Sequence, residues 1–228
     1  MFFHPMDFLI IIAFILAMWA QSRVKGSFQQ GAKIQASSQI TGVEVARKIL
    51  DSEGLSNVKI ELSRRGALSD HYDPSAKTVR LSEPVYRGSS LASLAVAAHE
   101  VGHAIQHANH YSMLVLRHRM FPVANLGSKI APFLLIAGLL LDQSGVNLIG
   151  FGILLFAAAV LFQVVTLPVE YNASSRAKTK LLELGMITNQ EERGVGKVLN
   201  AAALTYLAST LIAVLQLVKF IMIFNNRR

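Results

Sequence analysis

The chain has 228 residues, 52% of them hydrophobic and only 16% charged, with a mean hydropathy of +0.42. That exceeds what one compact core hides from water and excludes both an ordinary soluble domain and extensive disorder, so the missing solvent is a lipid bilayer. The formal charge of +8 suits an anionic membrane face, and the absence of cysteine excludes disulfides, thiolate ligands and cysteine nucleophiles, leaving nitrogen and oxygen to hold any metal.

Residues 8–20 are the first apolar run, about 20 Å long as a helix and about 28 Å if counted from residue 2. No Lys or Arg precedes it, Asp7 does, and Ala17-Met18-Trp19-Ala20 lacks the small-residue cleavage pattern of a signal peptide. The run therefore reads as an uncleaved anchor. Residues 26–38, rich in Gly, Ser and Gln, read as a linker. Thr41-x-x-Glu44 is a capping box opening a short helix that Gly54 closes. Residues 58–62 and 78–81 alternate as strands of a small sheet, with Asp73-Pro74 turning the chain between them. Ser89 or Ser90 then caps a helix over 91–107.

Three more apolar runs follow, at 121–141, 146–167 and 201–224, each near the ~20 residues of a span. Lys129 and Lys219 interrupt two of them, either snorkelling to an interface or marking where the span begins or stops. Pro168 suits the first turn of a new helix that Gly185 terminates, and Thr188-x-x-Glu191 is a second capping box. The predicted organisation is an anchor at 1–20, a polar part at 21–119, an apolar hairpin at 120–168, a connecting helix at 169–200 and a last membrane helix at 201–228. The fold class is mainly α: an integral membrane helical bundle of about four spans whose polar part contains a small β-sheet.

The polar part carries 13 of the 22 Lys and Arg, which places it in the cytoplasm of a multi-pass cell-membrane protein. The turn at 142–145 has none and belongs outside, whereas 171–200 has five and returns inside. Arg227 and Arg228 then fall outside, against the rule.

His99-Glu100-Val101-Gly102-His103 lies within the helix predicted at 91–107. Positions i and i+4 share one helical face, so both imidazoles can aim a ring nitrogen at one ion, while Glu100 is turned aside to reach a water rather than the metal. A catalytic zinc wants a third protein ligand and an open position. His107 lies on the same face, but three ligands in a row along one straight helix cannot close a tetrahedron, and Gln106 and Asn109 exclude the extended three-histidine spacing. Glu170 is the better candidate. Two apolar runs separate it from His103, and an even number of crossings restores the original membrane face. A carboxylate at the edge of a span is also costly without a partner.

The segments Ser69-Asp70-His71-Tyr72-Asp73-Pro74, Ala97-Ala98-His99-Glu100-Val101-Gly102-His103 and Pro168-Val169-Glu170-Tyr171-Asn172-Ala173-Ser174 resemble the YugP-type membrane neutral zinc metallopeptidases of bacteria. The resemblance covers nearly the whole chain, and a more distant one extends to the HtpX-like membrane gluzincins. It implies a zincin-like cytoplasmic part holding Zn²⁺ through His99, His103 and Glu170, with Glu100 as catalytic acid and base. One departure stands out: the HtpX-like glutamate motif carries an aspartate four residues on, where this chain has Ser174.

The expected activity is peptide-bond hydrolysis of protein substrates at the cytoplasmic membrane face, with zinc activating water and Glu100 carrying its proton to the leaving amine. His71, Tyr72, Tyr171 and Arg176 are candidate donors to the developing oxyanion, and Asn172 joins them as possible support for the ligands. The strand at 78–81 would offer an open edge to an extended peptide. The main alternative is a non-catalytic membrane scaffold with a structural metal, whose four positions would all be closed by protein. A transporter fits poorly with spans almost free of ionisable groups, and no motif or aromatic-interleaved basic patch supports nucleic acid as a partner.

Overall fold

Within a bilayer each backbone polar group has to be satisfied inside its own segment, and the apolar runs accordingly form long helices. The computed structural model describes residues 5–64, 66, 69–141 and 145–227. In chain order its elements are α1 (Pro5–Ala32), α2 (Gly42–Ser52), β1 (Lys59–Leu62), β2 (His71–Asp73), β3 (Thr78–Leu81), α3 (Glu83–Tyr86), α4 (Leu91–Ala108), α5 (Ser112–Leu140), α6 (Val146–Glu183) and α7 (Glu192–Arg227). The protein is mainly α, and α1, α5, α6 and α7 are long and apolar enough to cross a membrane, as the hydropathy predicts. Contacts divide it into two compact units, Met1–Ala20 with Val115–Pro168 and Thr205–Arg228, and Gln21–Leu114 with Val169–Leu204.

In the first unit the glycines bring backbones close: a Cβ on Gly127 would sit 2.4 Å from the Leu155 carbonyl oxygen. Lys219 does not simply mark the limit of a span; its ammonium pairs with the Asp7 carboxylate. Arg227, which runs against the charge rule, donates to the carbonyls of Gly138 and Leu139 at 3.3 Å, in the last turn of α5 where intrahelical donors have run out. The turn predicted at 142–145 lies outside the described residues except for Gly145.

The second unit forms around α4. Val45, Ala46, Ile49 and Leu50 recur at helical spacing on α2 and are buried, and they join Leu94, Val101, Ile105 and Leu181 in one core. The Thr41–Glu44 capping box is present on α2 and the Thr188–Glu191 pair forms ahead of α7. Gly54 and Gly185 adopt φ of +71 and +62 just beyond α2 and α6, the left-handed geometry that ends a helix and that glycine adopts without a Cβ clash. Of the two serines predicted to open α4, Ser90 is the cap, its hydroxyl accepting from the Ser93 N–H.

Four expectations are corrected. The linker predicted at 26–38 is helical as far as Ala32, because Phe28 packs on the core and Gly31 fits against Val198 and Ala92, and these contacts outweigh the weak helix propensity of the segment. Pro168 does not open a new helix. It lies inside the 38-residue α6, where the loss of one N–H is tolerated between two strongly helical stretches. A third strand, β2, lies where only a turn was expected; it pairs antiparallel with β3, and Asp73 closes the hairpin by accepting the N–H groups of Ser75 and Ala76. The sheet order is therefore β1-β3-β2, with β1 parallel to β3. Consequently β3 is the central strand and has no open edge; a peptide adding to this sheet has to use β1 or β2.

Candidate metal centre

His99 and His103 stand one turn apart on α4, and their rings lie 4.8 Å apart, nearly perpendicular. Across from them α6 presents Glu170, 4% exposed, whose Oε2 is 3.3 Å from His99 Nε2 and 3.5 Å from His103 Nε2. The three donor atoms all lie within 4.8 Å of one another. A tetrahedral ion with bonds of about 2.0–2.1 Å needs donors roughly 3.3–3.4 Å apart, which both nitrogen–oxygen separations match, while the two imidazoles have to close toward each other around it. Sequence separation is no obstacle, since α4 and the second half of α6 pack at backbone contact: a Cβ on Gly102 would meet the Ala173 carbonyl oxygen at 2.6 Å. Gly102, the fourth residue of the His99–His103 motif, is thus required by packing.

The outer face of each imidazole is also held. Ser174 Oγ is 3.1 Å from His99 Nδ1, occupying the place the departure from the HtpX-like pattern had left in question. His103 Nδ1 is 3.0 Å from Oε1 of Gln106, a residue with no solvent exposure. Gln106 Nε2 donates to the Val169 carbonyl at 2.8 Å and to Asn172 Oδ1 at 2.9 Å, and Arg176 Nε donates to that same Asn172 oxygen at 2.8 Å. With Nδ1 engaged outward on both rings, both Nε2 atoms face the carboxylate, the arrangement that metal-bound histidines require. Burial works against a charged His103, but hydrogen bonding to Glu170 and the nearby Glu100 charge prevail and hold its pKa above the ordinary imidazole range.

Glu100 is buried next to His99 in sequence and about 100° round the helix from it, beside the ligand face and not on it. Tyr72 Oη is 2.9 Å from His107 Nδ1. His71 is tied into the sheet through the Ser69 carbonyl at 2.8 Å and Arg80 at 3.5 Å. Tyr171 is half exposed, and Asn172 and Arg176 belong to the Gln106 network. From sequence, Gln106 served only to exclude a histidine spacing; the available signal was an amide three residues after His103 in an Ala-rich helix, and its burial emerges only in the fold.

Residues 6–225 match the family described as "Putative neutral zinc metallopeptidase". A curated relative from Bacillus subtilis (strain 168), named "Putative membrane protease YugP", is 55% identical over 221 residues, 97% of this chain and 97% of its own length. No solved structure matches the chain. A donor set suited to zinc, four membrane-length helices and similarity along almost the whole chain agree: this protein belongs to the family described as "Putative neutral zinc metallopeptidase".

Proposed function

We propose that the chain is a membrane-bound zinc metalloendopeptidase that hydrolyses peptide bonds of protein substrates at the cytoplasmic membrane face. The observation that carries this reading is the convergence of two imidazole nitrogens and one buried carboxylate oxygen, with no fourth ligating residue in the group among the described residues. Three protein ligands leave an open position, which a structural site would close, and this favours the enzyme over the scaffold alternative.

His99 and His103 through Nε2, and Glu170 through Oε2, would hold Zn²⁺. Bound there, zinc supplies Lewis acidity toward the scissile carbonyl and makes coordinated water acidic near neutral pH. Glu100 then acts as general base, taking the proton of the attacking water, and as general acid, delivering it to the leaving amine. Burial of the ligand carboxylate excludes competing water and strengthens its hold on the histidines. The cytoplasmic assignment is supported by the basic residues of 21–119 and 171–200.

The test is casein cleavage by the full chain in detergent micelles. Removal of divalent ions by a chelator abolishes cleavage, and one equivalent of zinc restores it; cleavage that survives chelation contradicts the proposal.

A further inference from the structure

The two histidines are held from outside in different ways. The Ser174 hydroxyl next to His99 can donate or accept, so it leaves that ring's tautomer open. Beside His103 every direction is fixed. Arg176 only donates, so Asn172 presents its oxygen to it; that oxygen and the Val169 carbonyl only accept, so both N–H bonds of the Gln106 amide point at them. Gln106 Oε1 is left facing His103, and Nδ1 has to carry the hydrogen.

Resting on the zinc-peptidase reading, we infer that Gln106 is a positioning residue for the reaction: locked by Val169 and by the Asn172–Arg176 pair, it fixes His103 with hydrogen on Nδ1 and Nε2 bare for the metal. The helix that brings Glu170 thereby also sets the tautomer of His103, so the third ligand and the second are prepared by the same contact between α4 and α6. A neutral amide does what a carboxylate does in many zinc sites. The consequence is an unusual order of tolerance. A carboxylate at position 106 would set a second oxygen against Val169 O and Asn172 Oδ1 with no hydrogen to share, whereas a carboxylate at position 172, where among the described residues only the oxygen is used, preserves every bond.

The experiment measures zinc affinity of the full chain in micelles by chelator competition, at equal helical circular dichroism. Gln106→Leu binds zinc about 10–100-fold more weakly than wild type, and Gln106→Glu falls with it. Asn172→Asp keeps wild-type affinity, but Asn172→Leu does not. Arg176→Met weakens binding in the wild-type background and adds nothing to Gln106→Leu, because both act through the same network. Should Gln106→Leu fail to fold, the contrast between Gln106→Glu and Asn172→Asp decides. Wild-type affinity in Gln106→Glu, or loss in Asn172→Asp equal to that of Gln106→Leu, overturns the positioning role and leaves the peptidase reading intact. A wild-type chain that binds no zinc overturns both.

Discussion

Glu100→Gln lowers peptide hydrolysis by about 10²–10⁴-fold while zinc remains bound with wild-type affinity. The substitution is isosteric, and Glu100 is outside the group of ligating atoms, so the two imidazoles and Glu170 keep their places. What disappears is the only function the amide cannot perform: accepting a proton from water and releasing it to the leaving amine. The loss corresponds to roughly 3–5 kcal/mol of barrier, more than a single neutral hydrogen bond contributes. Turnover comes from casein cleavage and zinc content from metal analysis of the same preparation. Full activity in Glu100→Gln refutes the role; loss of zinc along with activity reassigns Glu100 to holding the site.

Gly102→Ala removes high-affinity zinc binding although it adds a single methyl group. The new Cβ would lie 2.6 Å from the Ala173 carbonyl oxygen, and that obstacle is backbone of α6, not the end of a flexible side chain. To reach ordinary contact the two helices have to part by roughly 1 Å. Alanine gains about 1 kcal/mol of helix propensity over glycine, and overpacking costs about 1–3 kcal/mol, so the protein still folds. The site is less forgiving. Metal–ligand distances tolerate about 0.2 Å, and Glu170 is carried by the helix that is pushed away. Zinc affinity and thermal unfolding separate the two effects: a large drop in affinity with a small shift in midpoint is expected, and unchanged affinity shows that the close approach does not set the ligand geometry.

The parts of this protein that sequence discloses are those governed by local rules. The i, i+4 spacing of His99 and His103 needs only a helix, and the capping boxes at Thr41 and Thr188 satisfy their own backbone. Glu170 was reachable across 67 residues because two apolar runs of membrane length intervene, and an even number of crossings predicts a return to the same face. What stayed hidden depends on contacts remote in sequence. Residues 71–73 are too few to show alternation and become a strand only by pairing with β3. The 26–32 segment is a poor helix by composition and is held in one by Phe28 and Gly31. Gln106 gains its meaning from Val169 and Asn172, more than sixty residues away. Likewise the partners of Lys219 and Arg227 lie on other helices, so their places could not be read from charge alone.

Equilibrium zinc binding to the full chain and to Glu170→Ala tests the three-ligand site itself. Wild type takes up one zinc per chain, and Glu170→Ala, retaining both histidines, loses that affinity by several orders of magnitude because two imidazoles on one helix turn cannot complete the site. Stoichiometric zinc held equally tightly by Glu170→Ala would show that Glu170 is not a ligand.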